Sequence, residues 1–441
     1  MVLGKGRSRL WAQQLMNDPT DISSAPSVHA HPPLCPRRAA KGLSTAPKNS
    51  RNWVRIEDVY REPFRLFFPL AILAGLIGVA LWPLMMLGWL PTYPGPSHAR
   101  LLVQGFFGGF IFGFLGTSVP RLVEAKPLSS KEALALLCVM VLNVAANTLG
   151  MTGAADILFV AELALWLGAL KRRCKAGQDR PPPSFVLVGL AFASALAGTV
   201  LQLLGQLQVL SQPLQLLARL LSYHGFVLLC ILGAGGFLLP RFLGLGLRRA
   251  FTDSRANAGA WQRSSRIASG VGVLILMTYA LESLGWGRTS AVLRAGVVLA
   301  YLAYEMPLER LAWQWKGVQW QLAVGIVCIP SGILASGWKP ETRMTLTHLE
   351  LLGGYALLTT AVATRIVFGH SGGRERLERF HGWLTASAIL MLLGLVSRLT
   401  SDFIPAIQAS HYIYGAACWI AGVLVWAACV LPRVVRPDPE S

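Results

Sequence analysis

Ionisable side chains interrupt the apolar stretches of this chain in a biased way. Six arginines lie within such stretches beyond the first residue of each: Arg65, Arg100, Arg219, Arg294, Arg365 and Arg398. Histidines keep similar company. His98, His348 and His411 stand at or near the start of apolar runs, and His224 lies about 11 residues inside one. Neutral imidazole is a common ligand for haem iron and for copper. Arginine binds anionic groups, haem propionates among them, through charge-assisted hydrogen bonds. The plain alternatives are that each arginine reaches out to lipid headgroups and that each histidine is a satisfied packing residue.

The elements that must position these groups are membrane helices. Hydrophobic residues make up 54% of the 441 and charged residues 14%, against about 25% charged in soluble domains. A bilayer core of about 30 Å needs about 20 residues at 1.5 Å each. Twelve runs meet that need: 64–90, 99–120, 131–151, 153–170, 184–207, 213–240, 266–285, 290–307, 319–337, 343–368, 380–402 and 411–431. With the N-terminus placed inside, the inner segments hold 31 Lys and Arg and the outer loops hold 3. By the positive-inside rule the expectation is an all-α polytopic membrane protein with twelve spans and both termini in the cytoplasm. Arg100, Arg219, Arg294, Arg398, His98, His348 and His411 then lie toward the outer face. His370 and His381 bracket an inner loop, and His224 lies roughly 16 Å deep.

Residues 1–60 are polar, basic and rich in Pro and Ser, and read as a disordered cytoplasmic tail that includes His29 and His31. The membrane domain spans 61–434, and 435–441 form a short cytoplasmic end. The net charge of +19 is spread over short loops, which argues for orientation in a bilayer rather than for nucleic acid. The seven cysteines (Cys35, Cys138, Cys174, Cys230, Cys328, Cys418 and Cys429) form no CxxC pair, so neither a disulfide framework nor a zinc site is indicated. No N-terminal signal peptide is evident.

Glu162, Glu282, Glu305 and Glu350 also fall within spans. A proton or ion path is one reading and pairing with arginine another. Glu350 is two residues from His348 and so faces another side of its helix. Gly105, Gly109 and Gly113 repeat at GxxxG spacing, which serves close helix packing or leaves room for a flat cofactor.

Taken together, these residues resemble the NnrS family of bacterial inner-membrane proteins. Phe64-Arg65-Leu66-Phe67-Phe68 is similar to its Phe-Arg-Pro-Phe-Phe opening. His98-Ala99-Arg100-Leu101-Leu102-Val103-Gln104-Gly105-Phe106 is similar to His-Ala-His-Glu-Met-Leu-Phe-Gly-Phe, and residues 113–120 to Gly-Phe-Leu-Leu-Thr-Ala-Val-Pro. Residues 235–240 resemble Gly-Gly-Arg-x-x-Pro, and 365–372 resemble Arg-Val-x-Leu-Gly-His-Thr-Gly, which contains His370. Arg100, Leu101 and Phe237 depart from the family pattern. The resemblance runs from about residue 60 to the end. It implies a twelve-helix protein of nitric oxide tolerance or denitrification that binds haem and copper.

Twelve helices with histidines on spans 2, 6 and 10 also resemble the catalytic subunit of haem-copper oxidases, without the paired histidines of its oxygen-reducing centre. That likeness implies His98 and His348 as axial haem ligands and His224 as a second-metal ligand, with Arg100, Arg219, Arg294 and Arg398 beside the propionates. His370 is carried as a further metal candidate. A redox role needs a donor partner, since the chain has no haem-attachment CxxCH. Two other functions stay open: a small-solute transporter or channel, and a structural or assembly subunit without metal.

Overall fold

The computed structural model describes residues 54–245, 257–311, 317–372, 377 and 381–437. Among them every long element is a helix and there is no strand. Twelve long helices follow one another: α1 Phe64–Met86, α2 Gly95–Leu122, α3 Ser130–Thr148, α4 Thr152–Ala176, α5 Pro183–Gln206, α6 Gln212–Phe242, α7 Ala258–Ser283, α8 Gly287–Glu305, α9 Gln319–Trp338, α10 Arg343–Gly369, α11 Gly382–Ser401 and α12 Pro405–Val434. Eleven are long and apolar enough to cross a membrane. The exception, α8, corresponds to the eighth expected span. It has 19 residues and carries Arg288, Arg294 and Glu305.

The tail expected over 1–60 lies outside the described residues up to position 53, and so do His29, His31 and Cys35. Its last stretch, Ile56–Arg61, is a short helix. The third and fourth helices are joined by a tight turn over 149–151, where Gly150 adopts φ +74°. A left-handed residue there favours glycine, which has no Cβ to clash. The N-terminus of α3 is closed by a capping box between Ser129 and Glu132, satisfying donors a helix start leaves unpaired.

Three helices form the centre. The apolar windows of α2, α6 and α10 are 83%, 78% and 72% buried within the protein, whereas those of α7 and α11 are 28% and 33% buried. The outer helices turn much of their surface to lipid, and the central three are enclosed by other helices. Close packing of α1 on α2 follows from the glycine row. A Cβ at Gly105 would stand 2.6 Å from Ala74 Cβ, and one at Gly109 would stand 2.7 Å from Ala71 Cβ. The row therefore holds a helix against it and leaves no slot for a cofactor.

The first and last helices meet at one end of the bundle. The backbone N–H of Val54 donates to the Val435 carbonyl at 2.9 Å. Arg65 donates to the carbonyls of Val434 and, at 2.8 Å, Arg436. The first and last described residues thus lie at the same end of the helix bundle.

Candidate functional site

Each central helix departs from α geometry at its histidine. Residues Leu101–Phe107 of α2, Leu220–Gly225 of α6 and Leu349–Ala356 of α10 form π-helical turns. Such turns are rare and frequent at functional sites, because the extra residue re-aims the side chains around it. The first follows His98, the second contains His224 and the third follows His348. The three segments meet. The Phe107 and Tyr355 rings are 6.1 Å apart, and His224 Nδ1 is 3.5 Å from Glu350 Oε1.

His98 and His348 border one cluster at the same end of the bundle. Trp82 packs on both His98 and Tyr412, the Tyr412 hydroxyl and Arg398 donate to Asp402, and Thr345, three residues before His348, donates to the same aspartate. Both imidazole rings are half-buried. His98 Nδ1 is 2.9 Å from the Gly78 carbonyl, and His348 Nδ1 is 2.8 Å from the Met344 carbonyl. A carbonyl only accepts, so each Nδ1 carries the proton, and each Nε2 keeps its lone pair for another partner. That is the tautomer in which ligating histidines are usually held. Gly78 makes the first contact feasible: a Cβ there would stand 2.6 Å from Leu102 Cδ2. Trp82 covers His98 at 6.0 Å between rings and packs on Tyr412 at 5.7 Å.

The four outer arginines have different surroundings. Arg398, at the end of α11, donates to Asp402 at 3.1 Å and to Ser401 Oγ at 2.8 Å, and lies 4.5 Å from the Tyr412 ring centre. Burial raises the Asp402 carboxyl, but hydrogen bonds from Thr345, Tyr412 and Gln408, with the Arg398 charge, hold it below the ordinary carboxylate range. Arg219 is exposed. Arg100 and Arg294 point away from the histidine pair to carboxylates of their own. Arg100 binds Asp156 through Nε at 2.8 Å and Nη2 at 2.7 Å, with Gln202 at 2.9 Å. Gln104 donates to the same aspartate at 2.9 Å and is held in turn by Asn143 and Asn147. Arg294 pairs with Glu282, donates to Thr278 Oγ1 at 2.9 Å and lies 4.1 Å from the Tyr279 ring centre. The propionate role expected of Arg100 and Arg294 is thus displaced by buried ion pairs.

His370 is not brought to the pair. It lies beyond the far end of α10, with Nδ1 2.9 Å from Glu62 Oε1 and 3.0 Å from Arg121 Nη1. Arg121 and His98 sit at opposite ends of α2, so the two clusters are roughly 30 Å apart. Among the described residues no group of three or more His, Cys, Asp or Glu side chains is placed to hold a metal. His411 turns its Nδ1 to Ser397 Oγ at 3.1 Å.

Residues 58–437 match the family model described as NnrS protein. The chain belongs to the NnrS family. No curated protein matches the chain. Among solved structures it is similar to a haem-copper terminal oxidase dimer seen by cryo-EM, with TM-score 0.53 and 14% identity over 86% of this chain and 85% of that one. At that identity the likeness concerns the fold, and it agrees with the oxidase-like architecture expected from the sequence. The structure adds residues to this NnrS-family site that motif reading passes over: Asp156, Asp402, Tyr279 and Tyr355. Asp156 had a signal, since an aspartate inside a span calls for a cationic partner. The two tyrosines had none, because a phenol in an apolar helix is ordinary packing.

Proposed function

We propose that this NnrS-family protein is a multi-pass membrane haem protein that holds one haem between His98 and His348. The supporting observation is two imidazoles on central helices, each anchored through Nδ1 to a backbone carbonyl and both bordering the cluster of Trp82, Tyr412, Arg398 and Asp402. His98 Nε2 and His348 Nε2 would be the atoms that hold the iron. Arg398 would balance propionate charge. Trp82 and Tyr412 limit water access. A haem with two imidazole ligands supplies one-electron redox chemistry. The residues do not fit the copper implied by family resemblance, since His224 has a carboxylate and a phenol beside it rather than imidazoles or thiolates.

The test is the optical spectrum of purified protein. The expected wild-type Soret band is that of a six-coordinate haem, and His98→Ala and His348→Ala each lose it or shift it to five-coordinate form. Unchanged spectra in both variants refute the axial assignment. The family's connection with nitric oxide tolerance is proposed for this chain too. A deletion strain is expected to regain resistance to a nitric oxide donor with the wild-type gene and not with the His98→Ala form.

The proposed topology is twelve crossings of a bacterial inner membrane with both termini cytoplasmic. The start of α1 and the end of α12 meet at one end of the bundle, which supports an even number of crossings with α8 added to the eleven apolar helices. In a chain with native cysteines replaced, Arg288→Cys is expected to react with an impermeant thiol reagent from outside. Glu309→Cys reacts only after permeabilisation. Labelling of both from one side removes α8 from the membrane.

Transport is a second reading favoured by one observation. Both oxygens of Glu162, in α4, are buried with no hydrogen-bond partner. Proton uptake into proteoliposomes that Glu162→Gln abolishes supports it, and no uptake by wild type ends it.

A further inference from the structure

We infer that the bundle holds a binding site for a small uncharged gas molecule, in a cavity between α2, α6 and α10. The cavity has a volume of about 90 Å³. Its walls include Phe110 and Leu115 of α2, Cys230 and Gly235 of α6, and Leu358 and Ala363 of α10. Phe110 and Leu358 lie roughly 18 and 15 Å along their helices from His98 and His348. The site is therefore separate from the one proposed for haem. A void of this size is uncommon in a packed protein interior. Here it persists because small residues stand where larger ones would fill it.

Gly235 gives a second measure of the same space. Among the described residues, a Cβ built there would come within 4 Å only of the side chain of Leu239, one turn along the same helix. The adjacent glycine shows ordinary packing instead: a Cβ at Gly236 would stand 3.3 Å from Glu305 of α8 and 3.3 Å from Ser184 of α5. The two glycines of this Gly-Gly element thus serve different ends. Gly236 admits neighbouring helices, and Gly235 keeps the cavity open toward α2 and α10.

The lining decides the class of occupant. No lining residue carries a charge, and Thr359 is the one hydroxyl among them. A buried water needs about two to four polar partners, and an ion inside a membrane needs a countercharge or carbonyl oxygens. Neither is offered here. Size sets the upper limit. An engineered apolar cavity of about 150 Å³ stays dry and binds benzene or xenon. A cavity of about 90 Å³ is too small for an aromatic ring or for a lipid chain laid along it. What fits is an apolar molecule of diatomic size, a dissolved gas, which hydrocarbon takes up more readily than water does. Ile231, Ala234, Val362 and Ile366 also line the cavity and are only part-buried, so they form its rim.

Xenon is the probe, because it is apolar, compact and visible by anomalous scattering. Crystals of the full chain held under xenon pressure are expected to show an anomalous peak between Phe110, Gly235 and Ala363. Gly235→Leu and Ala363→Leu fill the cavity from two different helices, and xenon occupancy should fall at least five-fold in each. Their melting temperatures in detergent should match or exceed that of wild type, since filling a void recovers packing contacts. Cys230→Ala enlarges the cavity and is expected to raise the occupancy, so the test does not depend on the filling variants folding. Wild-type crystals without xenon in the cavity overturn the site, and so does an occupancy that none of the three variants changes. A lipid or detergent chain seated in the wild-type cavity overturns the choice of occupant. No arm of the test reads haem, so failure here and failure of the haem reading, which shows in the Soret band, are distinguishable.

Discussion

Whether a buried polar residue binds a ligand or supports structure depends on what already occupies its atoms. Arg100 shows the structural case. Both of its outer nitrogens and its Nε are engaged by Asp156, Gln202 and a backbone carbonyl. Removing one member of such a pair leaves the other charge buried, at a cost of about 3–5 kcal/mol. Asp156→Asn is therefore expected to lower thermal stability in detergent by that order, while the double change Arg100→Met with Asp156→Leu recovers much of the loss. Equal stability of Asp156→Asn and wild type would mean that the pair contributes nothing. His98 and His348 are the proposed ligand case, because each has one ring nitrogen committed to a carbonyl and the other in reserve. Position 98 was readable from motif resemblance, and its partner was readable only as a similar depth on a distant span. Nothing in the order of residues says that Gly78 supplies the carbonyl that fixes the tautomer.

At the scale of helices, the spans themselves were the most legible feature. A bilayer demands a run of about 20 apolar residues whatever the neighbours are. The π-helical turns were invisible by comparison. Helices enclosed on all sides carry apolar residues all round, so inserting one extra residue disturbs no pattern. The turn at Leu101–Phe107 nevertheless decides where His98 points relative to the rest of α2. Deleting Val103 should restore α register and rotate the first turns by about 100°. The protein is expected to insert at normal levels and to lose its Soret band. Retained haem in the deletion would separate the π turn from cofactor binding.

At the scale of the whole molecule, one charge cluster ties the start of α1 to the end of α12. Glu62, just before α1, meets Arg65, Arg121 of α2 and His370 after α10, and Arg65 reaches the end of α12. Burial raises the Glu62 carboxyl, but the hydrogen bond and charge of His370, with Arg121 and Arg65, outweigh it and lower the pKa from 4.5 to about 2. A lowered carboxylate pKa stabilises the folded state above the unfolded value, and that contribution disappears as pH falls through the folded value. The shift corresponds to about 3 kcal/mol. Stability in detergent is thus expected to drop between pH 4.5 and 2 in wild type, and Glu62→Gln should be weaker at neutral pH with a flatter acid limb. A variant with the wild-type acid profile would show that Glu62 does not close the bundle.

The amino-acid sequence by itself determined the membrane class, the succession of helices, the family and which helices carry histidine. Those properties follow from local rules: the thickness of a hydrocarbon layer, the cost of a charge within it, and motif order along the chain. Only the tertiary structure decided that His98 and His348 border one cluster, that His224 faces Glu350, that Arg100 and Arg294 belong to carboxylates, and that His370 belongs to the opposite end. Such pairings depend on how each enclosed helix is rotated about its axis. In a helix that is apolar on every side, packing against its neighbours sets that angle, and the sequence carries no stripe from which to read it.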